Sequence, residues 1–286
     1  MRRMTAAAWF GTGILSLLAV AAIFAPLIAP HSDTGGSLEQ VLLPPAWMHG
    51  GSSSYLLGTD ALGRDELSRL IYGCRVSLIV GFSAAGIAAV IGVPLGVLAG
   101  YLGGGFDWGV SLLLNVVLGF PFILLAVMAA ITLGSGLRNV ILILGVTGWP
   151  LYTRVMRTQV LELRERDFVR MARTLGYSKT RVMVRHILPS VVPTFLVITS
   201  LQVGHMILGE AFLSFIGLGV RPPEPSWGGM LSDGTQLIFT NWWLTVFPGV
   251  LIFITVLSFN LISDGLRSEV RVGKRVQKEV IAAETA

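Results

Sequence analysis

Long apolar runs separated by short polar turns make up most of this chain, and one basic segment interrupts them. About 20 residues of α-helix are needed to cross roughly 30 Å of hydrocarbon. Runs that meet or approach this length are Trp9 to Ala29, Val76 to Tyr101, Trp108 to Leu133, Val140 to Tyr152 with its flanks, Val191 to Val220, and Leu244 to Ile262. They predict about six membrane spans, the fourth having a short apolar core interrupted by Gly148 and Pro150. From Leu161 to Pro189 the pattern changes. Phe168, Met171, Ala172 and Leu175 form an apolar stripe at helical spacing, while Arg164, Arg166, Arg170, Arg173, Lys179, Arg181 and Arg185 recur around it. This predicts an amphipathic helix, a break at Gly176 where a left-handed cap suits glycine, and a second helix capped by Ser178. That helix then passes Pro189 into the next apolar run.

Composition strengthens the membrane assignment. The 286 residues are 53% hydrophobic and 13% charged, with a mean hydropathy of +0.74, whereas soluble domains carry about 25% charged residues. An all-α integral membrane protein is predicted. Basic residues near span ends stay on the cytoplasmic side. With both termini inside, Arg2, Arg3, Arg154, Arg157, the seven basic residues of the 161–189 segment, Arg267, Arg271, Lys274, Arg275 and Lys278 are cytoplasmic. Only Arg64, Arg69, Arg75, Arg138 and Arg221 then lie outside. The net charge of +5 is thus a matter of topology. Only Phe168 and Tyr177 stand among the basics of the 161–189 segment, too few for the stacking platform a nucleic acid requires, so no nucleic-acid partner is expected. The single Cys74 forbids an intrachain disulfide and reads as a small apolar filler.

Arg2-Arg3 followed by an apolar run imitates a signal peptide, but the run continues to Ala29, which favours an uncleaved first span. Residues 31–54 read as an exposed outer loop, and Leu62, Leu67, Leu70 and Ile71 as a short interfacial helix with Asp60, Arg64 and Asp65 in ion-pairing range. Gly92, Gly96 and Gly100 share one helix face, which permits close helix approach. Gly103-Gly104-Gly105 is a tight turn and no phosphate loop, since no Gly-Lys-Ser/Thr follows. Pro121 predicts a kink in the third span. The polar residues inside spans are Asn115, Gln202, His205 and Glu210, the candidates for a translocation pathway, because an ionisable group in a membrane normally faces a bundle interior or a water path. A packed, structural role is the competing reading for each. His205 and Met206 also suggest a soft metal pair, but adjacent helical residues point apart, so no metal site is assigned. Arg221 to Asn241 reads as a second outer loop, and Trp242 and Trp243 suit a membrane interface.

Four stretches resemble a known family. The spacing of Ala172, Gly176 and Leu188-Pro189 resembles the cytoplasmic coupling loop of ABC-importer permeases, with Arg170, Met171 and His186 standing where the family pattern has Glu, Ala and Ile. LGTDALGRDELSRLIYGCRVSL from Leu57, EAFLSFIGLGVRPPEPSWGGM from Glu210, and the span ending Phe259 to Arg267 resemble the inner-membrane permeases of dipeptide, oligopeptide and nickel ABC importers. The resemblance covers Leu57 to Arg267 and implies a type I ABC-importer permease fold with a cytoplasmic coupling helix. It divides the chain into an N-terminal transmembrane helix (1–30), an external loop with interfacial helix (31–75), a core transmembrane domain (76–267) that includes the coupling loop (161–189), and a cytoplasmic tail (268–286). It implies a bacterial inner-membrane location, a homologous second permease, two ATPase subunits and an external substrate-binding protein. Arg170, Met171, Ala172, Arg173, Leu175, Gly176, Leu188 and Pro189 are then the residues expected to couple to an ATPase. The chain carries no Walker A pattern; no catalytic residue and no cofactor is expected in it, ATP and Mg belonging to the partners. Peptides are the first choice of cargo and nickel, free or chelated, the second. A stand-alone secondary transporter lacks its expected paired broken spans, and an intramembrane hydrolase built on Ser214 lacks a nucleophile motif.

Overall fold

The computed structural model describes residues 6–284, with side chains from residue 6 to 268. Arg2 and Arg3 lie outside the described residues, and so do the side chains of Arg271, Lys274, Arg275 and Lys278. Helices α1 (Ala6–Ile23) and α2 (Ala25–Ile28) lead into an outer segment of turns, which ends at α3 (Glu66–Leu102). There follow α4 (Gly104–Leu118), α5 (Phe122–Leu133), α6 (Leu137–Arg164), α7 (Asp167–Thr174), α8 (Lys179–Val182), α9 (Leu188–Phe215), α10 (Trp227–Thr235) and α11 (Trp243–Glu284). Among the described residues there is no strand, only two isolated bridges that tie the outer segment together, Gly36 to Arg64 and Thr59 to Asp65.

Among the described residues four stretches are long and apolar enough to cross a membrane: Ala6–Ile23, Glu66–Leu102, Lys179–Phe215 and Trp243–Ser268. The pair α4 and α5, bent by 81°, makes a fifth if it is one span. The expected fourth span coincides with α6, an unbroken 28-residue helix through Gly148 and Pro150. This helix is not among those apolar enough to cross, so four or five spans stand against the six expected. Its apolar middle is short, and Arg154, Arg157, Glu162 and Arg164 follow on the same helix. It needs little outward apolarity because it buries Ile143, Leu144, Tyr152, Met156 and Val160 inside the bundle.

Several boundaries differ from the sequence reading. No separate interfacial helix forms between Leu57 and Leu70. Gly58 and Gly63 adopt φ of +86° and +68°, turning the chain, and the helix starts only where Asp65 accepts a bond from the Ser68 N–H at 3.0 Å. Glu66 to Leu70 are therefore the first turns of α3, which has no break before Gly103. The kink at Pro121 is a true break, since Gly119, Phe120 and Pro121 leave the helix and proline offers no N–H to continue it. The second outer loop contains α10, whose start is capped by Ser226 and whose Trp227 is fully buried, donating from its indole N–H to the Leu70 carbonyl at 3.0 Å. Trp243 is also buried, which leaves Trp242 the more exposed of that pair.

The glycine face of α3 meets α6. A Cβ at Gly92 would lie 2.5 Å from the Trp149 carbonyl oxygen, at Gly96 2.5 Å from that of Thr153, and at Gly100 2.7 Å from that of Arg157. Glycine is what lets the two backbones approach, and the Thr153 hydroxyl donates across the seam to the Gly92 carbonyl at 2.9 Å. Cys74 is buried, its thiol 3.2 Å from the Leu18 carbonyl between α3 and α1.

Candidate functional site

The basic segment folds as α7, a left-handed break and α8. Gly176 has φ of +81°, and the Tyr177 N–H reaches back to the Ala172 carbonyl at 3.1 Å, closing the helix end. Ser178 then accepts from the Arg181 N–H at 3.3 Å and caps α8. A π-wound turn at Met183–Ile187 joins α8 to α9, which suits a stretch where Pro189 and Pro193 withdraw two backbone donors.

The apolar stripe of α7 divides in two. Ala172, together with Val169, is buried against the body of the protein. Phe168, Met171 and Leu175, at 42%, 59% and 74% exposure, point away from it. Three apolar side chains at i, i+3 and i+7 on an exposed ridge, bordered by Arg170, are the form an anchor set takes when a helix docks in a groove. The ridge is fastened from behind. The Arg173 guanidinium lies 5.2 Å from the centroid of the Tyr101 ring at the C-terminal end of α3. Arg157 pairs through both its nitrogens with Asp107 of α4, the second contact being 2.8 Å. Glu165, at the end of α6, accepts from Arg170 at 3.0 Å and from Arg164 at 3.2 Å. These bonds, that of Arg170 foremost, hold its carboxyl below the usual carboxylate range. Arg170, Met171, Ala172, Arg173, Leu175 and Gly176 are therefore placed together on α7 and its cap. Leu188 and Pro189 lie beyond the π turn, at the start of α9, and line an apolar groove together with Val90 and Val93 of α3.

The four polar span residues do not converge. Glu210 is fully buried and accepts from the Ser214 hydroxyl at 2.7 Å and the Ser77 hydroxyl at 3.4 Å. Gln202 is also buried, its amide donating to the Gly148 carbonyl at 3.2 Å. His205 is exposed on another face of α9, its ring 6.5 Å from that of Phe122. Asn115 is exposed on α4.

At the opposite end of the bundle is a charged cluster that sequence reasoning saw only in part. Asp60 accepts from the Leu62 and Arg64 N–H groups at 2.8 and 2.9 Å and from Arg64 Nε at 2.7 Å. Arg69, itself buried, also pairs with Asp60, and its other terminal nitrogen lies 3.7 Å from Asp233 of α10. Asp65 does not join these arginines; it caps α3 and lies 3.4 Å from His31. The local spacing of Asp60 and Arg64 is readable in the sequence, but the partnership with Asp233, some 160 residues further on, leaves no local signal.

The bundle resembles a known architecture. The inward-facing MetNI methionine ABC transporter matches with a TM-score of 0.58 at 21% identity, over 70% of this chain and 95% of that one. At that identity the likeness concerns the fold, which is that of a type I importer permease. The family model described as "Binding-protein-dependent transport system inner membrane component" matches residues 92–272, and the N-terminal transmembrane domain of oligopeptide transport permease C matches residues 5–45. The chain is 38% identical over 257 residues to the di/tripeptide transport system permease protein DppC of Pseudomonas aeruginosa, covering 90% of this chain and 85% of that one. It is 38% identical over 258 residues to the dipeptide transport system permease protein DppC of Bacillus subtilis, covering 90% and 79%. It therefore belongs to the binding-protein-dependent family of inner-membrane transport permeases, as a multi-pass membrane subunit.

Proposed function

We propose that this chain forms half of the translocation path of an ATP-driven importer for dipeptides or oligopeptides, the other half coming from a homologous second permease. Two ATPase subunits carry ATP and Mg on the cytoplasmic side, and an external binding protein delivers the cargo at the end that bears Asp60, Arg69 and α10. The names of the relatives favour peptides over nickel. The observation that carries the coupling role is the exposed ridge of Phe168, Met171 and Leu175 on a helix otherwise held by buried and ionic contacts. Such a ridge has no reason to face water unless a groove covers it, and Arg154, Arg157 and the basic loop put it on the cytoplasmic side by charge. Both termini then lie in the cytoplasm.

In this reading α7 sits in a cleft of one ATPase. When the ATPases close on ATP, their motion reaches the bundle by three connections: the covalent one through α6, the π turn into α9, and Arg173 on Tyr101 at the end of α3. ATP shifts the pathway only because the docked helix has a different position in each state. Leu175→Glu places a charge in the ridge without disturbing a buried contact. Cargo-stimulated ATP hydrolysis by the assembled complex is expected to fall at least tenfold, in line with the roughly 2 kcal/mol or more of an interface anchor, while the chain still inserts and accumulates. Unchanged stimulation and uptake would refute the docking role.

A further inference from the structure

The path can be located more closely, on the understanding that the peptide-importer reading holds. Two features of the bundle are unsuited to lipid, and they lie side by side. The first is the break between α4 and α5. Gly119, Phe120 and Pro121 are exposed and non-helical at the bend of 81°, and α5 starts at Pro121 with no side-chain cap for its first N–H groups. Irregular backbone at membrane depth is tolerated only where protein or water satisfies it. The second is His205, an exposed imidazole in the middle of the apolar helix α9, where a polar ring facing hydrocarbon is costly. Phe122, the first residue of α5, and His205 touch edge to face.

Behind this contact is a cavity of about 420 Å³, walled by Leu208, Phe212 and Phe215 of α9, Ile252 of α11 and residues of α10. Its size falls in the range of about 300–1,000 Å³ typical of small-molecule sites. Its lining is apolar apart from the His205 imidazole. An acyl chain would suit the walls but not the imidazole. A peptide suits both, with a side chain for the walls and backbone amides for the imidazole.

We propose that a peptide in transit lays one bulky apolar side chain in this cavity with its backbone against His205, so that the path borders the His205 face of α9. Gln202 and Glu210 are buried, where Gly148, Ser77 and Ser214 already satisfy them. The pocket favours cargo with an aromatic or branched side chain over glycine peptides.

The test uses the assembled transporter in proteoliposomes with Cys74→Ala, which removes the one thiol of this chain, and labelling is read on this chain after the subunits are separated. Single cysteines are then introduced by His205→Cys and Phe212→Cys, with Leu17→Cys on the exposed face of α1 as a lipid-facing control. A water-soluble thiol reagent is expected to label positions 205 and 212 during turnover and to spare position 17. Diphenylalanine delivered by the binding protein should slow labelling at 212 at least fivefold, and glycylglycine should not. Absence of labelling at both positions would show that the second permease or lipid covers this face, and equal protection by the two dipeptides would remove the side-chain pocket; either overturns the proposal. As a second measure, Phe212→Trp narrows the cavity and should lower uptake of diphenylalanine relative to glycylglycine several-fold, with affinity of the binding protein unchanged. An unaltered ratio also overturns it. If the Cys74→Ala parent shows no ATP-dependent peptide uptake at all, the broader importer reading fails instead.

Discussion

Asp60→Ala is expected to destabilise the folded chain by about 3–5 kcal/mol, the range found when one partner of a buried ion pair is removed. The Asp60 carboxylate is 4% exposed and serves four donors: two backbone N–H groups and two guanidinium groups. Without it Arg64 and Arg69 face each other with no counter-charge between them. Arg69 is 5% exposed, and of its remaining acidic neighbours Glu66 is buried beside it while Asp233 is 3.7 Å away and largely in solvent. The turn held by the Leu62 and Arg64 N–H groups opens at the same time, and with it the outer segment that leads into α3. Unfolding of the solubilised protein by heat or by SDS titration measures the loss. Removing the stranded charge as well, in Asp60→Ala with Arg69→Met, should recover part of the stability. A single variant that unfolds at the wild-type midpoint would show that the cluster is solvated and carries little.

Gly96→Val is expected to damage the bundle strongly, because the added carbon meets backbone. Its Cβ would lie 2.5 Å from the Thr153 carbonyl oxygen and 2.8 Å from the Met156 Cβ. A carbonyl inside a helix cannot turn aside as the end of a flexible side chain can, so α3 and α6 must separate. Overpacking costs typically about 1–3 kcal/mol, and the separation also strains the bond from Thr153 to the Gly92 carbonyl. Gly86→Val is the internal control, since Gly86 lies on the same helix with nothing within 4 Å of its added Cβ. The first variant should lower the unfolding midpoint and the transport rate together; the second should leave the unfolding midpoint unchanged. Equal effects would mean that propensity within α3, not the seam with α6, determines the outcome.

The main lines of this architecture were legible because membrane helices announce themselves by length and apolarity, and the basic loop by contrast. Gly92, Gly96 and Gly100 pointed to a close helix contact through their spacing, and the structure supplies α6 as the partner. Gly176 and Ser178 carried the break in the basic segment, since a left-handed turn and a cap are local and chemical. What depended on tertiary packing was not legible. Nothing around Arg221 to Asn241 distinguishes α10 from a loop except Trp227, whose burial against α3 comes from residues far away in sequence. The merging of the interfacial helix into α3 was obscured because Glu66 and Arg69 look like surface residues; the cluster that buries them includes Asp233. The stripe of α7 was visible, yet its division into buried Ala172 and exposed Met171 and Leu175 depends on where Val169 and Arg173 find their partners. Glu210 and His205 looked alike as polar residues of one span, and only the rotation of α9 against α3 sets them apart.

The 37 residues of α3 correspond to about 55 Å of helix at roughly 1.5 Å per residue, far more than the bilayer alone needs. One end bears Glu66 and Arg69 in the outer cluster, and the other bears Tyr101 under Arg173. With no break between them, the helix behaves as a seesaw pivoted where its glycines rest on α6. A tilt of about 10° about Gly96 would carry Arg69 roughly 7 Å one way and Tyr101 about 1 Å the other, from the same ~1.5 Å rise per residue. A nudge delivered at Tyr101 would thus arrive at Arg69 with its sign reversed, without any signal having to pass from side chain to side chain across the membrane.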